Sequence, residues 1–149
     1  MGGLTTDKKE IIELLRQRSR PYLFSNSIPP MVAAAGVRAF ELLRENNTLQ
    51  ERLHENTAYF VAQMKAVGFD IKPTESAICA VMLYDAKRAQ DMAAQLLEQG
   101  IYVIGFSYPV VPKEQARIRV QLSAAHTRAH LDRCIAAFTQ VGKSMGVIQ

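Results

Sequence analysis

The sequence predicts an α+β domain: a small, mostly antiparallel β-sheet with helices packed on one face, preceded by a helical arm. Three observations predict it. Apolar residues recur at helical spacing in five segments, and four short apolar runs sit among the later ones in the order strand, strand, helix, strand, strand, helix. Ala116 to Leu122 alternates apolar and polar residues with a period of two. The first two helices have no obvious place on that compact unit, so residues 1–47 read as an arm or linker and 48–149 as the domain.

Each element has a local reason. Thr6 or Asp7 can cap a first helix in which Ile11, Leu14, Leu15 and Arg18 share a face. Arg20-Pro21 ends it, since the residue before proline avoids the α region, and an extended Tyr22–Ser27 segment follows. Pro29-Pro30 opens a second helix with Ala33, Val37, Phe40 and Leu43 on its apolar face. Thr48 caps a third, with Glu51 in the capping-box position, Leu49, Leu53, Phe60, Met64 and Val67 as its stripe, and Gly68 as its stop.

Phe69–Ile71 and Ile78–Leu83 are strand candidates. Asp85 caps a fourth helix through Glu98, closed by Gly100. Ile101–Ile104 reads as strand and Gly105–Pro112 as a loop. In Ala116–Leu122, Ile118, Val120 and Leu122 fall on one face and Arg117, Arg119 and Gln121 on the other. Thr127 can cap a last helix with Leu131, Cys134, Ile135, Phe138 and Val141 inward.

Composition narrows the function classes. A chain of 149 residues with 48% apolar and 21% charged residues can bury a core, which argues against disorder. No stretch approaches the ~18 apolar residues of a membrane span, and MGGLTTDKKE lacks the apolar core of a secretory signal. An intracellular, reducing compartment is the default, and a cytoplasmic protein is expected. Cys79 and Cys134 are too few for a disulfide framework and read as inert core residues. His54, His126 and His130 do not assemble a convincing metal set. Eighteen basic against fourteen acidic residues leave a net charge of +4, but the densest run, Arg16–Arg20, has few aromatics for base stacking. It reads as a solvated face, and no nucleic-acid partner is expected.

Two arginines alternating on one strand offer planar donor forks that suit a carboxylate, or else they line a solvated strand face. Ser25-Asn26-Ser27, just before a proline-opened helix, could receive a phosphate or could be turn chemistry. The loop Gly105–Lys113, with two prolines and two aromatics, could carry binding groups or pack on itself. His126 precedes a helix without an evident carboxylate partner, so helix-entry packing or capping is its expected role, and His54 and His130 have none. No Gly-x-Gly-x-x-Gly, Walker, Gly-x-Ser-x-Gly or His-Glu-x-x-His motif is present.

Those same segments carry a resemblance. Leu15-Arg16-Gln17-Arg18-Ser19-Arg20-Pro21-Tyr22-Leu23-Phe24-Ser25-Asn26-Ser27 resembles the segment shortly after the cofactor lysine in the α-oxoamine synthases. Gly105-Phe106-Ser107-Tyr108-Pro109-Val110-Val111-Pro112-Lys113, then Ala116-Arg117-Ile118-Arg119-Val120-Gln121 and Ser123-Ala124-Ala125-His126-Thr127, resembles their C-terminal domain. The Phe-x-Tyr-Pro-Val-Val-Pro-Lys loop is similar to the branch that transfers an acetyl group. The resemblance runs from about Gly2 to Ile148 and covers about the last third of a family member.

The resemblance implies the C-terminal small domain of a fold-type-I enzyme that uses pyridoxal 5′-phosphate and works as a homodimer. The partners it implies are glycine, acetyl-CoA or CoA, and 2-amino-3-oxobutanoate, an intermediate of threonine breakdown. Arg119 matches the arginine that holds the amino-acid carboxylate. Ser25, with the backbone of Phe24, matches the position that reaches the cofactor phosphate of the neighbouring subunit. Arg117 matches a family arginine too, and no catalytic role is carried over to it. The resemblance places the imine-forming lysine just before Met1, and none of the seven lysines here sits in a matching context, so no catalytic residue is expected in this chain, which alone should be inactive. Glu114 stands where the family usually has glycine. Two other readings remain open: a non-catalytic module binding an anion or a protein through Arg117 and Arg119, and the same part of an α-oxoamine synthase with a larger acyl donor.

Overall fold

The computed structural model describes residues 3–24 and 26–149, which divide into two compact units, Met1–Asn47 and Thr48–Gln149. In the first, α1 spans Lys9–Arg18, α2 Arg20–Leu23 and α3 Pro30–Glu45. Asp7 does not cap α1 itself. Its carboxylate accepts the Lys8 N–H at 2.7 Å, one residue ahead, and Lys8 takes the cap position. The break after α1 falls at Ser19, whose ψ of 110° is extended, rather than at Arg20. Pro21 then lies in the first turn of α2, where its missing N–H is not needed. The expected extended segment from Tyr22 is therefore helical as far as Leu23. None of these three helices has a buried residue; Leu14, Met31, Val37 and Phe40 are exposed.

The second unit contains α4 (Thr48–Ala66), β1 (Ile71–Lys72), β2 (Ile78–Tyr84), α5 (Ala86–Glu98), β3 (Ile104–Phe106), β4 (Ala116–Gln121) and α6 (Arg128–Ser144). The sheet order is β1-β2-β4-β3, and every pairing is antiparallel. Inserting β4 between β2 and β3 leaves those two parallel, which is why a helix, α5, must connect them. Asp85 caps α5 through the Arg88 N–H at 2.7 Å.

The period-two reading of β4 holds. Ile118 and Val120 join Cys79 and Val81 of β2 and Ile71 of β1 against Phe60, Met64, Met92, Leu96 and Phe138 of the three helices. Phe69 meets Phe138 edge-on at 5.9 Å, and Tyr59 of α4 donates a 2.5 Å hydrogen bond to Asp132 of α6. That bond to the Asp132 carboxylate raises the pKa of the Tyr59 phenol. On the opposite face Arg119 is exposed and Arg117 is half-buried.

The third strand is displaced from the expected 101–104 to Ile104–Phe106. Gly105 explains the shift. A Cβ there would lie 2.7 Å from the Ala89 carbonyl oxygen, so only glycine lets the strand lie directly on α5. The loop that follows turns on itself: Val110 and Val111 donate to Ser107 O at 2.9 and 3.2 Å, Tyr108–Pro109 is cis, and Lys113 Nζ sits 5.5 Å from the Tyr108 ring. Tyr108 and Val110 nevertheless point into solvent.

Glu114 occupies the third position of the turn closed by Gln115 N–H and Pro112 O, with φ of 60°. A left-handed φ at that position is the glycine requirement of a type II turn. Glu114→Gly is therefore expected to stabilise the unit by about 0.5–1 kcal/mol, read as a higher midpoint in urea unfolding.

Candidate functional site

Register sets the surroundings of Arg119. On β4 it lies opposite Ala80 of β2 and Ile104 of β3, while Phe106 faces Arg117 and is diagonal to Arg119 on the same side. The short Ala80 side chain leaves one flank low. On the other flank the Arg119 guanidinium carbon lies 4.5 Å from the Phe106 ring centroid. Among the described residues no hydrogen bond or ion pair engages that guanidinium.

Arg117, two residues earlier, is different. Its Nε donates to Gln115 O at 2.9 Å and its Nη2 to Gln115 Oε1 at 3.2 Å. Two of its five N–H donors are held by its own loop, so the paired arginines of the sequence resolve into one anchored and one unengaged guanidinium.

Arg119 lines a groove of about 530 Å³ with Phe106, Ile104, Tyr102, His126 and His130. Ser123 and residues 107–113 are not on its wall. The groove opens because β3 pairs with β4 only as far as Arg119, leaving Gln121 without a partner strand on that side. Two guanidinium groups, Arg119 and Arg133 (whose Nη2 donates to Gln99 O at 3.2 Å), and two imidazoles beside apolar walls suit an anionic group on a small organic molecule.

The two histidines are held by backbone donors. Ser123 N–H donates to His126 Nδ1 at 3.2 Å, and Thr127 N–H to His130 Nδ1 at 3.3 Å. Each neutral ring therefore carries its proton on Nε2. The expected helix-entry role of His126 fits this geometry. His130, given no role from sequence, completes a capping box with Thr127. Among the described residues no group of His, Cys, Asp or Glu is placed to hold a metal. Cys79 is fully buried and Cys134 half-buried, and burial pushes the Cys134 thiol up to about 11, in keeping with inert packing residues.

Asn56 is the residue that sequence reasoning missed. It is the one buried polar side chain among the described residues, and its Nδ2 donates to Ser123 O at 3.1 Å and His126 O at 2.9 Å. It thereby ties α4 to the turn that follows β4. Its position on the inward side of α4, among apolar neighbours, was the available signal. Asn56→Ala leaves two carbonyls short of a donor and is expected to cost about 1–2 kcal/mol in thermal unfolding of the chain.

Phe24 belongs to the first unit. Its side chain is exposed, and its N–H donates to Arg20 O at 3.1 Å to close α2. Ser25 lies outside the described residues.

Comparison with known proteins places the chain in a family. The family model for aminotransferase class I and II matches residues 1–138, and the chain belongs to that family. Within it, the similarity is to the α-oxoamine synthases. The chain is 52% identical over 147 residues to 2-amino-3-ketobutyrate coenzyme A ligase of Escherichia coli (strain K12), covering 99% of this chain and 37% of that protein. It is 50% identical to the mitochondrial 2-amino-3-ketobutyrate coenzyme A ligase of Homo sapiens, over 99% of this chain and 35% of that protein. Among solved structures, serine palmitoyltransferase from S. paucimobilis with a bound PLP–myriocin aldimine superposes with a TM-score of 0.83 at 35% identity, over 91% of this chain and 35% of that one. The chain thus spans little more than a third of the length of the curated relatives it matches.

Pyridoxal phosphate is the cofactor of full-length relatives. The groove fits one end of that chemistry. It offers guanidinium donors to an anionic group but no lysine, so the amine that would join the cofactor is not among its walls.

Proposed function

We propose that this chain is the C-terminal part of a PLP-dependent glycine C-acetyltransferase (2-amino-3-ketobutyrate CoA ligase). The reaction would convert 2-amino-3-oxobutanoate and CoA to glycine and acetyl-CoA, or run in reverse. The observation that carries the reading is the unspent Arg119 guanidinium on the groove wall, in a chain half identical to relatives of that name.

When bound, pyridoxal phosphate supplies the electron sink for the glycine carbanion. The chain's part is recognition. Arg119 offers two parallel N–H donors to the amino-acid carboxylate and so fixes which face of the substrate meets the cofactor. Arg117, anchored to Gln115 through Nε and Nη2, is assigned no part in this recognition. Ser25 reaches the cofactor phosphate of the second subunit in a homodimer, while the Phe24 N–H is taken by Arg20 O and adds no donor. Residues 1–47 join the cofactor-binding domain. With no lysine on the groove wall, the chain alone has no activity. The proposal includes a cytoplasmic placement, or a mitochondrial one in a eukaryote as for the Homo sapiens relative, and no helix among the described residues is long and apolar enough to cross a membrane.

The test is a chimera. The Escherichia coli relative contributes everything upstream of the matched region, and this chain follows. Acetyl-CoA with glycine should release CoA at a rate that saturates with glycine, while longer acyl-CoA donors react poorly. A folded, cofactor-loaded chimera that releases no CoA on adding glycine overturns the reading, and one that prefers a longer donor replaces the acetyl assignment.

A further inference from the structure

A ligand arginine faces a conflict. Its long side chain must be held in place, yet the usual restraints, carbonyls and carboxylates, consume the N–H donors the ligand needs. Arg117 shows the first outcome, with Nε and Nη2 both committed to Gln115. Arg119 shows another. Its guanidinium carbon rests 4.5 Å from the centre of the Phe106 ring, and among the described residues no acceptor takes its donors.

We propose that Phe106 is the positioning residue for Arg119: an aromatic platform that restrains the guanidinium while leaving every N–H donor free for a ligand carboxylate. A ring attracts a cation through its quadrupole and needs no N–H in return. The fold builds the platform from its own register. Phe106 pairs with Arg117 across β3 and β4, which puts it diagonal to Arg119 on the same side of the sheet. Gly105 sets its height, because only the absence of a Cβ lets β3 approach the Ala89 backbone of α5. Phe106 also lines the groove that Arg119 lines, so ring and guanidinium form one wall.

The role of the carboxylate rests on the function proposed above; the platform itself does not. Two measurements separate them. In the intact chain, the Arg119 Cδ and Nε protons should be shifted upfield by the ring in NMR spectra. Phe106→Leu should return them to ordinary positions, and Phe106→Tyr should keep them shifted. Arg119 protons at ordinary positions in the unsubstituted chain overturn the platform.

In the chimera, Phe106→Leu should raise the glycine KM about three- to ten-fold with the acetyl-CoA KM unchanged, and Phe106→Tyr should restore glycine KM to within about two-fold. Equal increases in both KM values, or a tyrosine variant as poor as the leucine one, overturn the positioning role. So does an unchanged glycine KM in Phe106→Leu when Arg119→Ala raises it. If Arg119→Ala itself leaves glycine KM unchanged, the carboxylate assignment fails, and the NMR result alone decides the platform.

Discussion

Arg119→Ala is expected to raise the glycine KM of the chimera by about 30- to 1000-fold. The figure follows from a charge-assisted, two-bond contact worth about 2–4 kcal/mol when one partner is removed. Little of the change should come from refolding. Arg119 is exposed, makes no hydrogen bond or ion pair among the described residues, and contributes to the protein mainly a stacking contact with Phe106. Steady-state kinetics over a wide glycine range would show the loss as KM, with acetyl-CoA KM unaltered. Arg119→Lys should recover part of it, since an ammonium keeps the charge but not the planar fork. Arg117→Ala supplies the contrast. Its Nε and one Nη2 N–H anchor it to Gln115 of its own loop, so glycine KM should change little.

The second large effect is on stability. Gly105→Val should destabilise the chain by about 3 kcal/mol, the upper part of the range for overpacking. The first added carbon would sit 2.7 Å from Ala89 O and 2.9 Å from Ala89 C. Those are backbone atoms of α5 and have no rotamer to escape into. Either β3 lifts from the helix or α5 shifts against β2 and β4. Urea unfolding followed by circular dichroism reads the first cost directly. If β3 lifts, Phe106 moves with it and the Arg119 ring-current shifts should shrink in the same variant. A Gly105→Val chain as stable as the parent would mean that β3 does not rest on α5.

Much of this was legible from spacing. The alternation in Ala116–Leu122 placed Arg119 on the helix-free face without further information, because a strand's period of two admits only that assignment once Ile118 and Val120 are buried. The α5 cap at Asp85 and the α6 cap at Thr127 were equally plain, since both are short acceptor side chains ahead of an apolar stripe. The family was legible too, through the 105–113 and 116–127 segments.

What was hidden depends on contacts distant in sequence. The start of β3 is fixed by the backbone of Ala89, which no local pattern around Ile101–Ile104 reveals. Arg117 and Arg119 look alike in sequence, and only the Gln115 contacts and the Phe106 ring separate them. Asn56 donates to carbonyls 67 and 70 residues away, so its partners could not be read from its neighbours. The helix breaks at Ser19 rather than Arg20 because proline, which disfavours helix before it, is tolerated in a first turn.

The most direct test of the central claim is a crystal structure of the cofactor-loaded chimera with glycine bound. Two Arg119 nitrogens should lie about 2.7–2.9 Å from the two carboxylate oxygens, with the guanidinium still over Phe106. A glycine carboxylate held by another residue, with Arg119 turned to solvent, would contradict the account.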